Sequence, residues 1–197
     1  MKSILTIFVS IILVFSCTNP FTTRDPEQPN PNEGSDIFDQ PISYEIVLSN
    51  LRYALIQKNL DHYMSCLIDT TMIPAMVYNF IPDQSAQIER FINWGLSDEQ
   101  NYLRNVFTNS KTLSFEFVDK NITYNSITTS EDSVQTSLFR YTLQVMFDTL
   151  ATYNGKARMK LVKNANSLWA IYFWEDQRDD TITNNRNTWS TLKALYK

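Results

Sequence analysis

The sequence predicts an α+β domain whose N-terminal helices pack on one face of a curved antiparallel sheet. Three observations carry this prediction. Apolar residues recur at helical spacing from Tyr44 to Phe107 and alternate from Leu113 to Phe173, so helices precede strands in the chain. The stretch Asn164 to Asp176 is a turn followed by a strand unusually rich in aromatics, against which the rest can pack. Hydrophobic residues make up 43% and aromatics 13% of 197 residues, enough for one sizeable core.

The chain divides into three parts. Lys2 and the apolar run Ile4 to Phe15 have the form of a secretory signal, the run being too short to span a bilayer, which takes about 20 residues. It ends in Val14-Phe15-Ser16-Cys17, which resembles a bacterial lipobox, with Phe15 larger than the residue usual at that position. The resemblance implies cleavage after residue 16, lipidation of Cys17 with diacylglycerol on its thiol and a further acyl group (palmitate or a similar chain) on its amine. Two or more chains make a stable membrane anchor. Thr18, not an aspartate, follows the cysteine and points to the outer membrane of a bacterial cell envelope. Residues 17–40 carry Pro20, Pro26, Pro29 and Pro31 among polar residues and read as a flexible tether. The domain proper is expected over 41–197.

Within the domain, Ser43 is placed to cap a helix running to Lys58, with Tyr44, Val47, Leu48, Leu51 and Leu55 on its inner face. Asn59 restarts a second helix through Tyr63, Met64 and Leu67, which requires a sharp corner. A short strand is expected within Met76 to Ile81 and a short helix over Gln84 to Trp94. Ser97-Asp98-Glu99-Gln100 reads as a capping box opening a helix that buries Tyr102, Leu103, Val106 and Phe107 and ends near Ser110. Strands follow around Leu113, Phe115 and Phe117, then Phe139 to Phe147, Ala157 to Leu161 and Trp169 to Trp174, with turns expected at Asn154-Gly155 and Asn164 to Asn166. The last strand is apolar on both faces, so it should sit centrally or be covered twice. Thr188 is placed to cap a closing helix docked by Trp189, Leu192 and Leu195.

This order of elements, over roughly residues 41 to 178, resembles the NTF2-like (cystatin-like) superfamily, which implies a cone with the helices on the concave face of the sheet. Trp169, Trp174 and Asp176, followed by Trp189, Leu192 and Lys193, are similar to a motif of uncharacterised bacterial lipoproteins of that fold. Members keep a pocket inside the cone, and the resemblance places Asp61, His62, Tyr63, Asp69, Tyr78 and Tyr141 near it. His62, Asp61, Asp69 and Tyr141 are therefore the catalytic candidates, although no Asp–His dyad aligns with the enzymes of the superfamily. His62 and Cys66 share a helical face, a pattern that could activate a thiol; a buried inert thiol is the simpler reading.

Composition excludes several classes. Only 3 Gly occur, against phosphate-binding loops. One His and two Cys, one assigned to the lipobox, cannot form a usual zinc set, so no metal and no cofactor is expected. The net charge of -4 offers no reason to bind nucleic acid. Glu175, Asp176, Asp179 and Asp180 read as a solvated loop. Arg140, Lys156, Arg158 and Lys160 share the outer sheet face and could dock an acidic envelope partner, a glycan or a lipid head group. Like charges on that face oppose pairing, so a monomer or weak dimer is expected. The expected function is a lipid-anchored, non-enzymatic module that binds an apolar ligand or a protein; the alternative is a small lyase or isomerase with an acid or base in the cone.

Overall fold

The computed structural model describes residues 38–197 except 70, 75, 130, 131 and 185. The signal, Cys17 and most of the tether lie outside the described residues. Among the described residues, no helix is long and apolar enough to cross a membrane.

Helix α1 (Tyr44–Ile56) buries Val47, Leu48, Asn50, Leu51, Ala54 and Leu55, the stripe its spacing dictates plus one amide. Asn50 is buried because both ends of its amide bond the backbone of Asp39, at 2.9 and 2.6 Å. Ordered contacts thus begin ahead of Pro41. Ser43 stands at the N-cap, but its hydroxyl makes no capping bond. The corner comes at Lys58, whose φ of 53° is left-handed, and Asn59 accepts from the His62 amide to start helix α2 (Leu60–Ser65). That helix is shorter than expected. Beyond it the chain lies alongside the last strand, the Ile68 amide donating to Ile171 and the Ile171 amide to Cys66.

Strand β1 (Asn79–Ile81) runs parallel to the last strand. The helix expected over Gln84 to Trp94 is a single 3-10 turn, Ile88–Phe91. Phe91 and Trp94 are buried while Ile88 and Ile92 are exposed, so no continuous apolar stripe supports a longer helix. Helix α3 (Leu96–Asn109) starts before the predicted capping box: Gly95 is its N-cap, and the Asp98 carboxylate accepts from the Gly95 amide at 3.0 Å. Glu99 is then free to point inward.

The sheet comprises β1, β2 (Thr112–Phe117), β3 (Tyr124–Ser126), β4 (Ser133–Thr136), β5 (Phe139–Met146), β6 (Leu150–Lys163) and β7 (Trp169–Gln177). Its order is β1-β7-β6-β4-β3, with β5 also on β6 and β2 on β5. All pairs except β1 with β7 are antiparallel. The long strand β6 is the spine: β5 pairs its first half and β4 its second, while β7 lies along its other edge. Strands β3 and β4 escaped the sequence reading because they are short and polar. Asn154-Gly155, expected as a turn, runs inside β6 opposite Thr142 and Tyr141. The reversal lies instead at Phe147–Thr149. Gly155 is required there by a close approach, since a Cβ would sit 2.5 Å from the Tyr141 hydroxyl and 2.8 Å from the Gln177 carbonyl. The Asn164 turn forms as expected, its side chain accepting from the amides of Asn166 and Leu168.

A β-bulge interrupts β7. Lys160 faces Phe173 but Leu161 faces Ile171, leaving Tyr172 as the extra residue. Trp169 and Ile171 point inward before the bulge; Trp174 and Asp176 do so after it, and Phe173 turns out to meet the Lys160 ammonium. Helix α4 (Trp189–Tyr196) closes the core with Trp189, Leu192, Lys193 and Ala194 buried. Leu195, expected to dock, is 65% exposed.

Candidate functional site

The interior between the helices and the sheet is occupied by side chains. Trp174, Trp189, Tyr63, Tyr102, Tyr141 and Phe115 are all fully buried there. Trp189 stacks edge-on against Trp174 at 4.5 Å and against Phe115 at 5.1 Å. Two polar networks thread this aromatic packing, and α4 contributes to both.

The first centres on Glu99, carried inward by α3. Its carboxylate accepts from the hydroxyls of Tyr63 at 3.1 Å and Tyr78 at 2.9 Å and from the Trp94 indole at 2.8 Å. The Lys193 ammonium completes the set with a short ion pair. That ammonium also lies 3.5 Å from the centroid of Phe80, 4.7 Å from Trp174 and 5.2 Å from Tyr102, an arrangement that favours a cation electrostatically. Burial pushes the Lys193 ammonium below its usual range, while Glu99 and Asp176 oppose that shift. Burial beside Glu99 pushes Tyr63, Tyr78 and Tyr102 well above the usual phenol range.

The second network centres on Asp176, turned inward by the bulge. It accepts from the Tyr141 hydroxyl at 2.6 Å and, on its other oxygen, from the Ser190 amide at 2.7 Å and hydroxyl at 2.5 Å. The Tyr141 hydroxyl in turn accepts from the Trp189 amide at 2.7 Å. The carboxylate therefore sits at the N-terminus of α4, where free amides and the helix dipole favour negative charge. Burial still raises the Asp176 carboxyl above its ordinary range, opposed by the bonds from Ser190 and Tyr141 and by Lys193. Asp176 and Asp179 are buried, correcting the reading of an entirely solvated acidic loop.

The predicted residues separate. Tyr63, Tyr78 and Tyr141 lie in the interior. Asp61 is exposed at the start of α2. Asp69 closes a local turn by accepting from Thr71 and the Met72 amide, and these bonds hold its carboxyl below the usual range. The His62 ring stacks on Phe38 at 4.1 Å, and the Cys66 thiol donates to the His62 carbonyl rather than to its ring. Burial pushes that thiol far up, so no thiolate is prepared. The four basic residues share the outer face as expected, yet three have carboxylate partners: Arg140 with Asp119 at 2.7 Å, Lys156 with Asp179 at 3.2 Å and Arg158 with Glu175 at 3.4 Å. The stripe is charge-compensated rather than bare.

Sequence reasoning missed Glu99 as an interior group and treated Lys193 only as part of a motif. The signal was present: Glu99 lies three and four residues before Tyr102 and Leu103, on the apolar stripe of α3, and Lys193 lies four after Trp189. Elsewhere, a groove of about 500 Å³ opens between the start of α1 and the sheet, lined by Tyr44, Tyr124, Trp169 and Lys163. Among the described residues, no group of His, Cys, Asp and Glu is placed to hold a metal.

No family model and no curated protein matches the sequence. Solved structures do match. A candidate dehydratase of the NTF2-like family from Streptomyces avermitilis superposes with a TM-score of 0.52 at 11% identity, over 68% of this chain and 91% of its own. A candidate aromatic ring hydroxylase from Novosphingobium aromaticivorans gives 0.53 at 13% identity, over 70% and 87%. An NTF2-like superfamily protein from Salmonella enterica gives 0.50 at 11%, over 71% and 92%. The fold is NTF2-like. At such identities the likeness extends to the fold alone. In this NTF2-like domain the centre of the cone holds Trp174, Trp189 and the Glu99–Lys193 pair, all contributed by the chain itself.

Proposed function

We propose that this protein is a lipid-anchored module of the bacterial cell envelope that works by interaction rather than catalysis. The observation that supports it is the occupied cone. Trp189 and Lys193 of α4 are buried at the centre of the cone, and the ionisable groups beside them are engaged by Ser190, Tyr63, Tyr78 and Trp94. A general acid or base must reach a substrate proton directly or through one water, and here the chain's own atoms hold those positions. The outer sheet face and the aromatic groove at Tyr44 and Tyr124 are then two surfaces open to a partner. The lipobox-like Val14 to Cys17 supports anchoring through Cys17, on the outer membrane given Thr18. Labelling cells with an alkyne fatty acid tests the anchor: the native chain takes up label and partitions into detergent, and Cys17→Ala does neither. A native mass spectrum of the full chain in detergent tests the occupied cone: no small molecule is released on denaturation beyond lipid and detergent.

A second reading, a small lyase or isomerase, draws on Asp176. Its carboxyl is raised by burial and hydrogen-bonded to Tyr141 inside the cone, a pairing of the kind that acid–base catalysis uses. Under that reading α4 withdraws during turnover, and a co-purifying small molecule would favour it.

A further inference from the structure

Every neutral donor to Glu99 comes from outside the helix that supplies its cation. Its three neutral donors, Tyr63, Tyr78 and Trp94, come from α2, the segment before β1 and the turn before α3. The nearest walls, Phe80 and Trp174, belong to β1 and β7. Helix α4 adds the cation and, one turn earlier, the Trp189 indole that donates to Tyr102 at 3.0 Å and packs on Trp174. Ring faces around one oriented carboxylate are the arrangement that recognises organic ammonium groups, the faces attracting the charge and the carboxylate directing it. A buried ion pair adds little net stability over a well-packed apolar pair, because desolvation offsets the attraction. The space is also narrow: the ammonium touches Glu99 and lies 3.5 Å from the Phe80 centroid, which admits N–H bonds but not methyl groups on nitrogen.

We propose that this cage is a recognition site for a primary alkylammonium group, and that α4 carries Lys193 as its resident occupant in cis. The assignment goes beyond the interaction-module reading and is independent of lipid anchoring. An alkylammonium in trans takes the site when that side chain is absent.

Chemical rescue tests it. Full-length Lys193→Ala in detergent is titrated with n-propylammonium chloride, which replaces the deleted methylenes and nitrogen. Sodium chloride, n-propanol and tetramethylammonium chloride serve as matched controls. Propylammonium raises the Tm by about 3 °C at tenfold over its Kd, and the controls do so by less than a third of that. Equal stabilisation by propanol or tetramethylammonium, or no shift with propylammonium, overturns the proposal. If Lys193→Ala is unfolded in buffer, the same series is read as recovered near-UV dichroism of the core tryptophans, and failure of propylammonium to restore it counts against the site. Lys193→Met, whose stem fills the cage, shows no selective shift; a shift equal to that of the alanine variant would place the amine elsewhere and overturn the assignment.

Discussion

Gly155 is the clearest case of one residue set by its neighbours. Adding a methyl group there drives it into the Tyr141 hydroxyl and the Gln177 carbonyl. The hydroxyl cannot swing away, because it bridges Asp176 and the Trp189 amide. Gly155→Ala is expected to cost about 1–3 kcal/mol, read as a lower urea midpoint with an unchanged slope. Asp176 sets a pH dependence of definite sign. Its carboxyl holds a proton more tightly in the folded chain than in the unfolded one. Folding thus takes up protons between the ordinary carboxylate range and the raised value, and stability falls as pH rises through that window. Urea unfolding of the native chain and Asp176→Asn from pH 4 to pH 7 should show the native chain losing ground to the variant as pH rises. A gap that stays constant, or widens in favour of the native chain, contradicts the assignment. At this scale the sequence was misleading in an instructive way. Asn-Gly is the strongest short hairpin signal, yet at Asn154-Gly155 the glycine answers to a side chain crowding it from β5.

The bulge in β7 has the largest consequence of any single element. A strand alternates faces with period 2, so one extra residue transfers everything after it to the opposite side. Tyr172 is that residue, and it brings Trp174 and Asp176 inward. Deleting Tyr172 should remove the bulge yet keep Trp174 and Asp176 inward, because Phe173 then follows Ile171 directly, in register with Lys160 and Leu161. The expected result is near-UV dichroism and cooperative unfolding kept by the deletion, as by Tyr172→Ala; loss of both in the deletion alone would contradict Tyr172 as the extra residue. Helix α4 is itself held at both ends, by Asp176 at Ser190 and by Lys197 against Asp98 at 3.2 Å. Its period was legible from Trp189 and Leu192. Which of its other positions docks was not, because a lysine replaces Leu195 at the core once a carboxylate is waiting there.

For the whole molecule, charge on the outer face matters less than its sequence implies. Arg140, Lys156 and Arg158 read as an uncompensated stripe, but Asp119, Asp179 and Glu175 arrive from other segments to pair with them. Partly exposed pairs of this kind contribute little. Arg158→Ala is expected to change stability by no more than about 0.5 kcal/mol, measured by urea unfolding. The same pairing weakens the argument that like charges oppose association. Sedimentation of the full chain in detergent should therefore vary little between low and high salt, whatever its oligomeric state, and a strong salt dependence would restore the bare-stripe reading.

Legible from the sequence alone were the order of helices before strands, the longer elements, the α+β class and the turn at Asn164. Those follow from local spacing, which a chain shows without folding. The capping and length of individual helices were only partly legible, because competing caps lie within a few residues of each other, as Gly95 and Ser97 do. Strand order, the bulge and the polar centre of the cone were decided by the tertiary structure alone. Glu99 draws its partners from residues 5 to 94 positions away, and Asp176 from residues 14 and 35 away. A buried carboxylate is tolerable only where such donors converge, and most of that convergence exists only once the sheet has closed over the helices.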